Sequence, residues 1–574
     1  MAPIPTLARQ PDAPPHAIAP LDTPPSASAA GAAMDALIAW TRDGKVPEHA
    51  QGLPKAQGAS ITIRCAGRVI ARASAWSDTP GTSALRADPA ADPAVRRAAA
   101  IALPAALRNL PFTLDPSLPD ASAEVARQLD LSLELAGPLV PITLAAWADA
   151  LSQVRPGIDG VAIRLGDRFE SMFPAAMLAG AVEPPAACRA LLSKATDDPT
   201  LALKEPRDLG IAPTFYRFRV THLAQLPGSH ELVYLTRGGV VAPPLSAAEL
   251  SRWAVGLADH LVRRIPDDGS AYPGTFNPVA EPVGGGDRGT PGQHALVAFT
   301  LARFARTGAS VDPAAARRAH DGALRMLRSF DRAHARADDP FAMALIVRTF
   351  EELPTADRTP DLDALRARAA GRVPRGTLGA APTGLAGLAA WALDAAGEEA
   401  DPMVRATYAR APLPELGAAM PWLGWAELAV RDRHAPGRPP ASAEALRQMR
   451  GMLWAHTLAP ESLSAEEQDL AGGMVFGRGG LPTWHAARPL AMVGTMLREP
   501  DLAGERALEL ARLLAGLRYL RQLTIGPAEG HMYADPGGAR WGVRGSVWDQ
   551  RVSPEATATT LLAVVEVLRV VGGR

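Results

Sequence analysis

The C-terminal three-fifths of this chain consists of about six pairs of helical segments rich in alanine and leucine. The second segment of each pair lacks charge over most of its length, whereas the first carries more arginine, aspartate and glutamate. Helices that are apolar all round are buried, and amphipathic helices cover them. The pattern therefore predicts a closed ring of helical hairpins with an inner and an outer layer. The predicted pairs are 246–264 with 291–307, 312–335 with 340–353, 360–371 with 382–396, 402–411 with 416–431, 442–457 with 485–498, and 502–524 with 554–571.

The region before these pairs mixes strands and helices. Stretches near residues 59–75, 160–173 and 214–223 alternate apolar and polar residues, which is typical of half-buried strands. A chain of 574 residues is also too long for a single core. We therefore predict a multidomain protein with an N-terminal α+β domain and a C-terminal all-α domain. The expected division is a disordered tail at 1–33, an α+β domain at 34–225, a hairpin and linker at 226–245, and a helical domain at 246–574.

Composition excludes several classes of partner. The 59 basic and 60 acidic residues give a formal net charge of -1, so no global field attracts nucleic acid. No apolar run reaches the roughly 20 residues that span a bilayer. The Pro-, Ala- and Ser-rich N-terminus lacks the apolar core of a secretory signal. We expect a cytoplasmic protein that binds neither nucleic acid nor membrane, and the sequence identifies no protein partner.

The two cysteines, Cys65 and Cys188, are far apart, and the chain contains no Cys-x-x-Cys pair. A zinc or iron–sulfur site normally needs such clustered thiolates. We interpret both residues as free thiols in a reducing compartment. We accordingly expect no metal ion and no other cofactor.

Four motifs in the N-terminal region occur in a fixed order: LSLELAGPLVPI, GIDGVAIRLGDRFESMFPAAML, LLSKA and TFYRFRV. In this order they resemble the AMMECR family, over roughly residues 34–225. The resemblance implies an α+β domain whose biochemical activity is poorly defined. The family's Leu-Arg-Gly-Cys-Ile-Gly motif corresponds here to residues 69–74, which lack the cysteine and both glycines. The resemblance therefore implies no role for that motif in this chain.

The helical region resembles the (α/α)6 toroid of terpenoid cyclases and protein prenyltransferases, six-hairpin glycosidases and sugar epimerases. The loops GSAYPGTFNP and GHMYADPGGARWGVRGSVWDQ, before the first and last inner helices, carry this resemblance. The Asp-x-Asp-Asp acid motif of one cyclase class and an Asp-Asp-x-x-Asp diphosphate motif are absent, and no cysteine is available for a prenyltransferase zinc site. The resemblance implies the toroid without those chemistries.

Polar and aromatic residues gather in the loops before the predicted inner helices. Because parallel inner helices begin at one rim of a ring, we expect these loops to share one pocket for a small carbohydrate or isoprenoid-like ligand. Carboxylates can protonate a glycosidic oxygen or an alkene, and indole faces can bind apolar or sugar surfaces. The candidate catalytic residues are Asp549, Glu555 and His485. The candidate substrate-binding residues are Trp484, Arg488, Trp541, Trp548, Arg551, His294 and Tyr272.

A structural role explains several of these residues equally well. Asp549 has Arg551 as a ready ion-pair partner, and Glu555 follows Pro554 in the first turn of a helix, where a negative charge is stabilised. Two hypotheses follow. The chain is an enzyme of the toroid class, or it is a non-catalytic binding or scaffold protein with a degenerate toroid. Apolar side chains filling the centre of the ring would favour the second.

Overall fold

The computed structural model describes residues 23–50, 52–76, 93–112, 121–280, 287–334, 338–375, 382–476 and 480–572. The chain divides into two compact units. The first extends to Gln225, except for Ala66–Arg68 and Leu178–Ala181. Those two segments belong to the second unit together with Leu226–Arg574.

The first unit combines one antiparallel sheet with short helices, which confirms the predicted α+β character. Its strands are β1 (Gly58–Cys65), β2 (Arg68–Trp76), β3 (Leu129–Ala136), β4 (Val140–Ile142), β5 (Asp159–Leu165), β6 (Arg168–Met172) and β7 (Thr214–Gln225). Its helices are α1 (Ala27–Asp43), α2 (Ala94–Arg108), α3 (Ala121–Arg127), α4 (Ala150–Gln153), α5 (Pro174–Ala179) and α6 (Pro184–Thr196). Six strands follow the order β2-β1-β3-β7-β5-β6, and β4 pairs with β7.

Helix α1 corrects the expected extent of the N-terminal tail. It begins at Ala27, where the side chain of Ser26 caps it, and it buries Ala30 and Ala33. Residues 27–33 are therefore helical, and these alanines lie on the face of the helix that is buried. The rest of the expected tail, 1–22, lies outside the described residues.

The sheet carries a buried glutamate. Glu134 on β3 lies opposite Ser60 on β1 and His222 on β7. Its side chain is 2% exposed and accepts a hydrogen bond of 2.8 Å from the backbone N–H of Ala175. Burial raises the pKa of Glu134 from 4.5 to about 7, although this hydrogen bond and the charge of Arg72 act in the opposite direction.

The second unit is helical almost throughout. Its helices are α7 (Ala247–Arg263), α8 (Pro291–Gly308), α9 (Pro313–Ala333), α10 (Pro340–Glu352), α11 (Pro360–Arg372), α12 (Thr383–Ala395), α13 (Asp401–Arg410), α14 (Leu413–Ala419), α15 (Trp422–His434), α16 (Ala443–Ala455), α17 (Ala487–Met496), α18 (Arg506–Leu523), α19 (Pro536–Ala539) and α20 (Pro554–Val571), with a short strand β8 (Leu232–Leu235) before them. Among the described residues, no helix is both long and apolar enough to cross a bilayer.

Capping residues set where several of these helices begin. Thr290, Asp312, Asp339 and Ser553 each accept hydrogen bonds from first-turn N–H groups, and each precedes a proline. Proline fits the first helical position because its missing N–H would have no helical partner there. The segment predicted as one helix over 416–431 is instead two helices, α14 and α15, because Pro421 interrupts the helical hydrogen bonds.

The helices predicted to be inner pack in sequence. Helix α8 packs against α10 and α20, α10 against α12, α12 against α15, and α17 against α20. Helices α15 and α17 are joined by a hydrogen bond of 2.8 Å from the Trp425 indole N–H to the Thr495 hydroxyl. The contacts thus return to α8, where they began.

We predict that Glu134→Gln changes how the stability of the first unit depends on pH. The folded state holds its proton up to pH about 7, whereas the unfolded chain releases it near 4.5. Stability from this group is therefore full below pH 4.5 and is lost as the pH rises through about 7. The total loss is roughly 3 kcal/mol.

Urea unfolding of the wild type and Glu134→Gln over this pH range measures the difference. The variant should become relatively more stable as the pH rises, because glutamine does not ionise. Glu183→Gln, at an exposed position, is the matched control and should keep the wild-type slope. Equal slopes for the wild type and Glu134→Gln would contradict the prediction.

Candidate functional site

The two loops that carry the predicted acid/base residues lie side by side. Thr483 forms an isolated bridge with Ser546, and the N–H of Trp484 donates to the carbonyl of Gly545 at 3.3 Å. This pairing places the segment of His485 beside the segment that ends at Arg551. Loops that are about 60 residues apart in the sequence therefore meet.

Three of the predicted residues lie close together. The rings of Trp484 and His485 are stacked with centroids 4.1 Å apart, and the guanidinium of Arg488 lies 5.5 Å from the Trp484 ring centroid. Trp484 is 8% exposed, so the stack covers an indole that was expected to be an open platform. Partial burial, and then the charge of Arg488, lower the pKa of His485, which favours the neutral imidazole. Glu555 lies within electrostatic range of Arg488.

Asp549 forms a bidentate ion pair with Arg551. Its carboxylate accepts hydrogen bonds of 2.9 Å from Nε and 2.7 Å from the terminal nitrogen of that guanidinium. The pair also raises the pKa of Arg551 through these hydrogen bonds. Both oxygens of this carboxylate are therefore engaged by one guanidinium.

Tyr272 and His294, predicted to bind substrate, lie in the packed interior of the helical unit. Tyr272 is fully buried and donates a hydrogen bond of 3.1 Å to the carbonyl of Leu261. His294 is 1% exposed, and its Nε2 lies 2.9 Å from the carbonyl oxygen of Met326. Burial raises the pKa of Tyr272 to about 12 and lowers that of His294 to about 4. Their hydrogen bonds satisfy polar groups inside the core, so neither presents a surface to a ligand.

The remaining two tryptophans lie in different surroundings. Trp548 is half-buried against the helical core. Trp541 lines a cavity of about 600 Å³, which Asp549, Glu555 and His485 do not line. The ten predicted site residues therefore do not share a single described cavity.

Aromatic rings fill the interior between the inner helices. Phe299 of α8 contacts Trp391 of α12 and Trp422 and Trp425 of α15, at centroid distances of 5.7, 6.0 and 6.4 Å. None of these side chains is more than 4% exposed. In the packing order α12 and α15 lie two and three helices away from α8, so these rings join helices that are not consecutive in that order.

Beyond these rings lies a charged network that the sequence analysis did not identify. Glu566 of α20 is fully buried and accepts hydrogen bonds of 2.8 and 2.6 Å from Arg303 of α8. It also accepts hydrogen bonds from Arg498 and from the Thr495 hydroxyl. Burial alone would raise the pKa of Glu566, but the guanidiniums of Arg303 and Arg498 outweigh it and lower the pKa.

Arg303 extends the network to a fourth helix and to the aromatic rings. It donates a hydrogen bond of 2.6 Å to Glu352 of α10, and its guanidinium lies 4.2 Å from the Trp425 ring centroid. The sequence does carry a signal for this network. Glu566 is a lone charge within the apolar run TTLLAVVEVL, and such a charge needs a buried partner.

A second cavity, of about 510 Å³, adjoins this network at the C-terminal ends of the inner helices. Arg303, Arg306, Glu352 and Arg569 contribute to its wall. Each of these four groups has an ion-pair partner within the network. Every one of these four groups is therefore already paired within the protein.

Within the described ranges, no three His, Cys, Asp or Glu side chains are grouped closely enough to hold a metal ion. Both cysteines are buried and unpaired.

No protein-family profile and no curated protein matches the sequence. Among solved structures, the chain is similar to the crystal structure of an uncharacterized protein from Pyrococcus horikoshii. The two share 14% sequence identity, and the similarity covers 36% of this chain and 95% of that chain with a TM-score of 0.25.

We predict that Glu566→Gln destabilises the helical unit by roughly 3–5 kcal/mol, because it leaves buried guanidiniums without their carboxylate. Urea unfolding measures the loss. Glu505→Gln is the matched control, because Glu505 is exposed at the start of α18 and caps no N–H group there. The control should change stability by less than about 0.5 kcal/mol. Equal stabilities for the two variants would show that the network contributes little.

Proposed function

We propose that the chain is a non-catalytic binding protein for a small organic ligand. It combines an AMMECR-like α+β domain, about 34–225, with an (α/α)6 toroid domain, 246–574. The observation that carries the proposal is the aromatic filling between the inner helices. An enzyme that processes a ligand on the ring axis needs open volume there, and Phe299, Trp391 and Trp425 occupy it.

The packing order of the helices supports the toroid. The six helices that contact one another in a cycle are the second members of the predicted pairs, with α15 as the fourth. Several outer helices cover this cycle, with α9 on α8, α11 on α10 and α18 on α17. A ring with two layers requires both features.

The first unit supports the AMMECR-like assignment through the positions of the motifs. The Gly-x-Asp-Gly-Val motif begins β5, and the TFYRFRV motif forms most of β7. These strands are paired, with Gly160 opposite Phe218. A Cβ at position 160 would overlap the Phe218 ring, so this pairing requires glycine. Asp159 of the same motif is fully buried and forms an ion pair of 3.0 Å with Arg155.

The alternative is an enzyme that uses Asp549, Glu555 and His485 on a carbohydrate or isoprenoid-like ligand. The bridge between Thr483 and Ser546 favours it, because this bridge brings the predicted segments together. The ion pair between Asp549 and Arg551 opposes it, because it occupies one of the two carboxylates that acid/base catalysis would use.

Thermal unfolding with 4-nitrophenyl glucoside and with geranyl diphosphate, combined with assays for release of nitrophenol or pyrophosphate, separates the two functions. We expect no release with either compound. Any bound compound should raise the melting temperature in a saturable way, since it binds the folded state alone. Release that disappears in both Asp549→Asn and Glu555→Gln would overturn the proposal in favour of the enzyme. Arg328→Gln, at an exposed position on α9, serves as the control variant.

A further inference from the structure

The cavity of about 600 Å³ that Trp541 lines has an apolar wall and a basic rim. Leu245, Trp253, Val255 and Trp541 contribute to the wall. The rim carries three arginines: Arg252 on α7, Arg521 on α18, and Arg540 after α19. Its volume lies within the range of about 300–1,000 Å³ that is usual for small-molecule sites.

Trp541 is held in a strained backbone conformation. Its φ is 72°, in the left-handed region that bulky side chains rarely adopt. Its N–H donates to the carbonyl of Ile525 at 3.0 Å, and the N–H of Ile525 donates to the carbonyl of Gly542 at 2.9 Å, which holds the loop in place. Strain of this kind costs on the order of 1–3 kcal/mol and occurs most often at functional sites.

Helix α7 is shaped to receive this indole. A Cβ at Gly256 would overlap the Trp541 ring, so the helix carries a glycine where the ring packs. Glycine inside a helix costs about 0.5–1 kcal/mol relative to alanine. The strained backbone of Trp541 and the helix-weakening glycine at position 256 therefore both place the Trp541 indole against α7.

The carboxylates that line the cavity already have other partners. Glu249 accepts hydrogen bonds of 2.8 Å from the N–H and the hydroxyl of Ser246. Asp259 is paired with Arg318 at 2.9 Å. Asp312 accepts hydrogen bonds from two N–H groups of the first turn of α9. None of them forms an ion pair with a rim arginine among the described residues.

The three guanidiniums remain partly uncompensated. Arg252 and Arg540 are exposed, and among the described residues neither guanidinium donates a hydrogen bond or forms an ion pair. Arg521 donates one hydrogen bond, of 3.2 Å, to the carbonyl of Thr524. Arg521 and Arg540 each lie 5.4 Å from the Trp541 ring centroid. Burial first, and then repulsion from Arg540 and Arg252, lower the pKa of Arg521, although Glu529 and Glu249 act against this.

We propose that this cavity binds a small organic phosphate with an aromatic or apolar body. The phosphate meets Arg252, Arg521 and Arg540, because guanidinium donors match phosphate oxygens in charge and geometry. The body packs against Trp541 and the apolar wall. This inference rests on the proposed non-catalytic binding function and names its site and ligand class.

Titration of the full-length protein with 1-naphthyl phosphate, followed by calorimetry, tests the site. We expect saturable binding, and binding at least tenfold weaker for inorganic phosphate and for 1-naphthol, since each supplies only half of the contacts. Affinity should fall as salt rises, because the contacts with Arg252 and Arg540 are charged and exposed.

Arg252→Gln and Arg540→Gln should each weaken 1-naphthyl phosphate binding about ten- to hundredfold, as expected for loss of a charged hydrogen bond. Both residues are exposed, so both variants should fold, and circular dichroism verifies this. Arg328→Gln removes an exposed charge that lies outside this cavity and should bind like the wild type. Gly256→Ala should weaken 1-naphthyl phosphate more than inorganic phosphate, because it displaces the indole.

The outcomes separate this inference from the proposed function. Lack of 1-naphthyl phosphate binding, or binding that survives in the Arg252→Gln/Arg540→Gln double variant, would overturn the site. Inorganic phosphate that binds as tightly as the ester would overturn the role of the aromatic wall. Release of 1-naphthol, visible by its fluorescence, would instead overturn the non-catalytic function while leaving the site in place.

Discussion

The buried ion network around Glu566 joins four helices of the helical unit. Apolar helices can pack in several registers at similar free energy, whereas a buried carboxylate and its guanidinium must meet at one position. Arg303 reaches Glu566 on α20 and Glu352 on α10, and Arg498, which follows α17, reaches Glu566 as well. Four helices with largely apolar surfaces are thus aligned by one group of charges.

The same network divides the interior of the helical unit into an aromatic region and a charged region. The guanidinium of Arg303 covers the face of Trp425, so the aromatic filling ends where the charges begin. The indole N–H of Trp425 bonds to Thr495, whose hydroxyl in turn donates to Glu566. The rings and the charged groups between these helices therefore contact one another directly.

Much of the secondary structure could be predicted from the sequence, because helix ends carry local signals. Proline after a capping Thr, Asp or Ser marks the starts of α8, α9, α10 and α20 to within a residue or two. At Pro421 the apolar helical periodicity over 416–431 outweighed the helix-breaking signal of the proline, so the prediction joined two helices. We expected the segments of Trp484 and Ser546 to lie close together because both precede helices that were predicted to run parallel, and the two segments are indeed bridged.

The cavity that Trp541 lines was harder to predict, because the charged residues at its rim resemble ordinary surface residues in the sequence. Arg252, Arg521 and Arg540 lie almost 300 residues apart at the extremes, and each alone fits a solvated helix or loop. Only the folded chain shows that the neighbouring carboxylates are engaged elsewhere. The burial of Tyr272 and His294 could not be predicted for the opposite reason. Their polar groups suggested a pocket, but backbone carbonyls in the core satisfy them.

The fit of Trp541 onto Gly256 has a consequence for how this chain can evolve. A larger residue at 256 collides with the indole, and a smaller residue at 541 leaves a gap against α7. Neither position can change alone without loss, but a compensated pair of changes would remove the backbone strain and strengthen the helix together. If the cavity is no longer under selection, Gly256 and Trp541 should therefore tend to be replaced together. Homologues that keep both residues would indicate that the cavity is still under selection.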